Sequence, residues 1–163
     1  MPYIPGLRAF REGPAIIQAY YDLEHEPDVL IIPGHGIAHQ NRCGLATYVG
    51  VELQKSTIGV AKSVLPGDIV EDKIIINNEV CGMLLRTKSH ANPIVVSPGH
   101  LITTEDAINI VQKCIIQPHK LPEPLVAAHK FVKHIMNNPT SEQKEDVEED
   151  IPEEYKINAG SIV

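Results

Sequence analysis

Apolar positions along the chain fall into stripes of helical spacing and short unbroken runs, and the two patterns place the elements. In "EGPAIIQAYYDLEHEP" the residues Ile16, Ile17, Tyr20 and Leu23 share one face, with Pro14 near the first turn and a stop before Pro27, which predicts a helix. The run from Asp28 to Ile32, "DVLII", has no polar alternation, as expected of a parallel strand buried on both faces. Small and apolar residues at Ala46, Val49, Gly50 and Leu53 predict a second helix from about Gly44 to Leu53, lying close on a sheet. "STIGVAK" reads as another buried strand, closing at Lys62. After a turn near Pro66-Gly67, the segments "DKIIIN", "EVCGMLLRT" and "NPIVVSPGH" read as strands, the first two joined by a hairpin at Asn77-Asn78.

Toward the C-terminus the helical period returns. Ala107, Ile108, Val111 and Cys114 form a stripe from about Thr104 to Ile116, with Thr104 as cap and Glu105 and Asp106 beside the positive helix end. A last helix starts near Pro122, carries Leu125, Val126, Ala128, His129, Val132 and Ile135 on one face, and ends at Asn137-Asn138-Pro139. The order of elements is mixed, not strictly alternating, which predicts an α/β fold built on a mixed sheet. The chain divides into a folded domain over residues 1–138 and an acidic tail over 139–163 that has too little apolar content to pack.

Composition bounds the function classes. A chain of 163 residues suits one domain with a core of its own. No run of apolar residues is long enough for a membrane span, and the start "MPYIPGLRAFREGP" has neither a basic leader nor an apolar signal core, so a cytoplasmic setting is expected. Cys43, Cys81 and Cys114 are far apart and form no CxxC pair, and they read as reduced core residues. The net charge of −7 disfavours nucleic acid until the acids are located: residues 142–163 hold eight acids and two bases, leaving thirteen acids and twelve bases in residues 1–141. The body is thus near neutral, and the acidity belongs to the tail.

Ligands of open α/β sheets bind beyond the carboxyl ends of parallel strands, so the strand ends carry the candidate chemistry. They are the "PGHGIAH" loop after Ile32, Lys62 after "TIGVA", and Ser97 to His100 after "PIVV". His35 and His39 have the spacing of a metal pair on a helix, but the glycines around His35 argue against a helix there, and ordinary loop histidines fit better. A fixed ammonium at Lys62 suits a phosphate or a developing oxyanion; a surface lysine closing a strand is the plainer reading. His100 fits a general acid or base, a metal ligand, or a cap of the region that follows. Glu12 alone reads as an acid favouring a helix start, Tyr3 as a rigid ring able to stack on a base or pack a terminus, and Phe10 as core.

In this order, the blocks "PYIPGLRAFREGP", "PDVLIIPGHGIAH", "CGLATYVGV", "STIGVAKS", "VSPGH" and "LPEP", over residues 2 to about 130, resemble the endonuclease V family, metal-dependent nucleases that recognise deoxyinosine in DNA or inosine in RNA. The resemblance implies a ribonuclease H-like mixed sheet flanked by helices. It implies Tyr3 as a wedge beside the displaced base, and Gly6 and Gly44 as small residues that let backbone approach that base. It assigns Glu12 as the catalytic metal-binding acid, with Mg²⁺ or Mn²⁺ as cofactor. Lys62 and His100 match residues near the reacting phosphate, and His39 matches the histidine of "GIAH".

The departures from the family pattern are specific. Where the family has an aspartate before Gly-His-Gly, this chain has Pro33, which offers no carboxylate oxygen. Relatives carry a longer segment before "PYIP", including a first strand with another aspartate, so among the expected acids only Glu12 is present and cleavage by this chain alone is expected to be weak or absent. Without those first strands "DVLII" becomes a sheet edge, which predicts self-association, a partner chain that supplies the missing strands, or a gene start placed too late. Arg8 stands where the family prefers an apolar residue beside the base pocket, and Tyr48 replaces a usual histidine. The function expected is endonuclease V-like action on inosine-containing DNA or RNA by phosphodiester hydrolysis; the alternatives are a relative that binds without cleavage or a subunit completed by a partner chain.

Overall fold

The computed structural model describes residues 7–65 and 67–137; Tyr3, Gly6 and the segment expected as a tail lie outside them. The chain runs α1 (Arg8–Tyr21), β1 (Val29–Ile32), α2 (Leu45–Leu53), β2 (Ser56–Ala61), β3 (Asp68–Val70), β4 (Lys73–Ile76), β5 (Glu79–Leu85), β6 (Ile94–His100), α3 (Thr104–Lys113) and α4 (Glu123–Asn137). Two units divide it, Met1–Val126 and Ala127–Val163. The first holds the sheet and its helices; the described part of the second is the helical stretch from Ala127 to Asn137.

A six-stranded sheet has the order β1-β2-β6-β5-β4-β3. β1 and β2 are parallel, with Val29 opposite Ser56 and Ile32 opposite Gly59, and all other pairings are antiparallel. Side chains alternate across the sheet with the period of two that strands impose. Ile58, Val60, Ile94 and Val96 therefore share one face, where they pack with Ala107 and Val111 of α3 and with Leu125. On the opposite face Leu30 and Ile32 pack with Ala9 of α1 and with Leu45, Ala46 and Val49 of α2. Val95, Ala61, Cys81 and Ile74 continue that second face and are covered by Ile37 and Ala38 of the loop after β1. Because both faces are covered, β2 has no room for polar alternation, which is why its sequence is an apolar run.

Several boundaries differ from the sequence expectation. Helix α1 begins at Arg8, not at Glu12, so Glu12 lies inside the helix and Pro14 is mid-helix. Asp68–Val70, just past the turn expected near Pro66-Gly67, pairs with β4 as an exposed edge strand that no apolar run announces. Thr103, not Thr104, caps α3: its hydroxyl accepts from the Asp106 backbone N–H at 3.1 Å and donates to the Asp106 carboxylate at 2.7 Å. The cap belongs one residue earlier because the extended residue at a helix start, not the first helical one, presents its oxygen to the free amides. The hairpin at Asn77-Asn78 forms as expected, with φ of 53° and 62°, values that asparagine tolerates better than most residues.

Candidate functional site

The loop from Pro33 to Gly44 leaves the carboxyl end of β1, folds back over the sheet and enters α2. Its backbone is tied to β6 by two bonds: the Gly36 amide donates to Ser97 Oγ at 2.8 Å, and the Ile37 amide donates to the Pro98 carbonyl at 2.8 Å. Gly59 makes this path possible, because a Cβ there would stand 2.4 Å from the Gly36 nitrogen and 2.6 Å from the Gly34 carbonyl oxygen. At the far end of the loop Arg42 pairs with Glu79 and donates to Cys81 Sγ, both at 2.7 Å, fastening the loop to the start of β5. The loop then closes on itself, with the Gly44 amide donating to the Gly36 carbonyl at 3.0 Å and the Ala46 amide to the His35 carbonyl at 3.0 Å.

Between this loop and the start of α1 lies a cavity of about 400 Å³, lined among others by Arg8, Gly34, His35, His39, Cys43 and Gly44. That volume falls within the roughly 300–1,000 Å³ of small-molecule sites. Ala9, Leu45 and Leu65 add apolar wall. His35 Nε2 lies 2.9 Å from the Ser63 carbonyl oxygen and must donate to it, which leaves Nδ1 as an acceptor in the neutral ring. Its pKa is lowered first by burial, an effect opposed by the Ser63 bond and reinforced by the charges of His39 and Arg8. His39 is buried, and burial lowers its pKa as well. Its Nδ1 accepts from the Asn41 amide at 3.3 Å, so the neutral ring carries its proton on Nε2. The cavity is therefore lined by two imidazoles held toward the neutral form, one with a free acceptor nitrogen and one with a donor nitrogen.

Gly44 lines the cavity as expected, yet its smallness is required by the protein itself: a Cβ there would stand 2.2 Å from the His35 carbonyl oxygen. Glu12 lies one turn along α1 from Arg8, and Arg8 Nε donates to both of its carboxylate oxygens at 2.8 Å. The helix is held in place in part by Tyr48 of α2, whose ring covers Gly13 and meets the Phe10 ring at 5.6 Å between centroids. Tyr48 is thus a packing residue between two helices.

Lys62 and His100 are not brought together. Lys62 follows β2 and is exposed, at the same end of the sheet as the loop after β1. His100 ends β6, which runs antiparallel to β2, and pairs with Thr57 at the other end of that strand. Five residues of strand separate the two levels, a backbone distance of roughly 16 Å. The His100 Nε2 is buried with no hydrogen-bond partner among the described residues. His35 and His39 share the cavity, but no group of three His, Cys, Asp or Glu side chains among the described residues is arranged to hold a metal ion.

Sequence reasoning passed over the Arg8–Glu12 pair, the Ser63 carbonyl and the Arg42 anchor. The first was detectable, because residues four apart on a helix are neighbours, but placing the helix start at Glu12 hid it. The other two join segments distant in sequence and have no local signal.

Comparison with known proteins gives a consistent result. The family profile described as Endonuclease V matches residues 1–130. Endonuclease V of Dictyoglomus thermophilum is 43% identical over 144 residues, 83% of this chain and 63% of the relative. Endonuclease V of Thermosipho melanesiensis is 40% identical over 138 residues, 80% of this chain and 61% of the relative, so the chain spans less than two thirds of the length of these relatives. Among solved structures, the endonuclease V of Bacillus subtilis superposes with a TM-score of 0.75 at 37% identity, covering 85% of this chain and 65% of that one. The Ciona intestinalis endonuclease V, solved with a 24mer DNA containing an inosine followed by a ribo-adenosine, gives 0.75 at 28% identity over 86% of this chain and 69% of that one.

Proposed function

The chain belongs to the endonuclease V family and has its ribonuclease H-like fold, and from that premise we propose that it recognises an inosine-bearing strand of DNA or RNA and takes the flipped base into the cavity between α1 and the loop after β1. The observation that carries this reading is the cavity: about 400 Å³, walled by backbone at Gly34 and Gly44, with two imidazoles whose hydrogen bonds fix one acceptor and one donor. A base leaves its stack at a cost and is read by hydrogen bonds to its edge in such a pocket. Lys62, exposed at the same sheet end, supplies positive charge for the strand's backbone. Tyr3 and Gly6, outside the described residues, would act as wedge and close-approach residue.

Hydrolysis in this reading needs Mg²⁺ or Mn²⁺, which would polarise the phosphate and activate water. The residues present do not fit that ion. Mg²⁺ takes oxygen ligands in a near-octahedral set, carboxylates first, whereas the cavity's described lining holds no carboxylate, only imidazoles, a thiol, a guanidinium, the Gln40 amide and the Ser63 hydroxyl, and Glu12 nearby on α1 has both oxygens engaged by Arg8. Pro33, exposed just after β1, adds none. Binding without efficient cleavage by this chain alone is therefore the preferred reading. The outer edge of β1 carries no paired strand among the described residues, and a second copy or a partner chain pairing there is the route by which further carboxylates would reach the site. A cytoplasmic setting is part of the proposal; no helix among the described residues is long and apolar enough to cross a membrane.

The test is to incubate the full chain with an inosine-containing strand and an adenosine control in Mg²⁺ or Mn²⁺, following gel shift and cleavage together. A retarded inosine strand without products is the expected result. Products at the inosine would overturn the non-cleaving reading, and equal retardation of both strands would overturn base recognition.

A further inference from the structure

We infer that the loop after β5 forms a second contact for the same nucleic-acid strand: an open cleft in which Arg86, Lys88 and His90 hold the phosphodiester backbone a few nucleotides away from the base in the cavity. This rests on the base-recognition reading and extends it from the base to the path of the strand.

The cleft, of about 580 Å³, is lined by the segment Arg86 to Ala91 and by Gln117, and no acid is among its lining residues. The sequence has no acid between Glu79 and Glu105, in a body whose charges otherwise nearly balance. A concave surface with two cations, an imidazole and the Ser89 hydroxyl suits a phosphodiester, which is bound by charge and hydrogen bonds whatever its base. These groups are not engaged within the protein. Lys88 and His90 have no side-chain hydrogen bond or ion pair among the described residues. Arg86 meets Asp72 only at 3.8 Å, with side-chain exposures of 69% and 45%, and such a pair is worth little in water.

The sheet register brings the cleft to the end where the base cavity lies. Ala61 stands opposite Val95, and Val95 opposite Leu84, so β2 and β5 leave the sheet at the same level. Ser63, just past β2, walls the cavity, and Arg86 follows β5 directly. Only β6 lies between these exits, a separation of roughly 10 Å. That is about three steps of a stacked strand at ~3.4 Å each. The cleft is also braced: Thr87 Oγ1 donates to the Lys120 carbonyl at 2.7 Å, and Gln117 Nε2 donates to the Thr87 carbonyl at 2.8 Å. The plainer role, solvated charge on a surface loop, predicts no dependence on which phosphate of a strand is charged.

The experiment follows binding of the full chain to a DNA single strand carrying one inosine, and to its adenosine twin, by fluorescence anisotropy over a range of salt. Arg86→Gln/Lys88→Gln should bind both strands about three- to tenfold more weakly at about 50 mM salt and lower the salt slope by about 1.4, or ~0.7 for each lost contact. Its inosine preference should equal that of wild type. Lys88→Gln should lower the slope, whereas Lys55→Gln, which removes the same charge at the opposite end of β2, should not. Neutral methylphosphonate linkages placed singly, roughly two to four steps from the inosine, should weaken wild type at one or more positions and leave the double variant unaffected there. An unchanged slope in the double variant, equal losses in Lys88→Gln and Lys55→Gln, or methylphosphonate effects that are the same in both proteins would overturn the inference; a persisting inosine preference would then leave base recognition intact. Conversely, a wild type without inosine preference whose slope still depends on Arg86 and Lys88 overturns base recognition, and with it the path from base to cleft, while retaining the backbone contact.

Discussion

His35 Nε2 donates to the carbonyl oxygen of Ser63 across 2.9 Å, joining the loop after β1 to the segment that leaves β2. The two residues stand on neighbouring parallel strands' exits, and their bond closes one side of the cavity. The ring makes this bond while burial pushes its pKa below the ordinary 6.5.

A pH dependence of stability follows. Because His35 and His39 both have lowered pKa values in the folded chain, the unfolded chain binds more protons as pH falls below 6.5. Their contribution is present above 6.5 and is lost as pH drops from there through the folded values. The urea midpoint should fall between neutral pH and about pH 5.5, and His35→Gln, which keeps a donor for Ser63 but does not titrate, should flatten the slope. An identical slope in wild type and variant would contradict the assignment.

Gly44→Ala should destabilise the chain, because the added methyl meets the His35 carbonyl oxygen at 2.2 Å and not empty cavity. Overpacking of this kind costs about 1–3 kcal/mol. Chemical denaturation measures it. A variant of wild-type stability with weakened inosine binding would show instead that Gly44 is small for the ligand's sake.

Lys62 and His100 should respond differently to salt. Lys62→Ala is expected to weaken binding of inosine and adenosine strands alike and to reduce the salt slope by about one, as loss of one phosphate contact does. His100→Ala should leave that slope unchanged, since His100 lies at the other end of β2. Titrations at several salt concentrations decide this, and equal slope changes for both variants would place both residues on the strand.

Pro33→Asp should not restore cleavage by itself. The new carboxylate would join a Glu12 already paired with Arg8, still short of the oxygen set Mg²⁺ takes. The exposed position makes a stability change of more than about 0.5 kcal/mol unexpected. Clear product from an inosine strand in Mg²⁺ or Mn²⁺ would show that one acid was the whole deficit.

The sequence by itself determined the elements whose causes are local. The apolar runs "DVLII" and "STIGVA" gave two parallel strands, of which only the second is buried along its length while in β1 only Ile32 is; the stripe from Ala107 to Val111 gave α3, and Asn77-Asn78 gave its hairpin, since strand and helix periods and turn preferences act over a few residues. The ordered motif blocks also carried the family. Tertiary structure alone decided which candidates meet. "TIGVAK" and "VSPGH" look alike as strand endings, but strand direction is a property of the whole sheet, and the antiparallel pairing of β2 with β6 sends Lys62 and His100 to opposite ends. The Ser63 carbonyl and Arg42 enter through contacts with residues 28 and 37 positions away, which no local pattern encodes. Even the role of Gly44 depended on a carbonyl that only the folded loop brings against it.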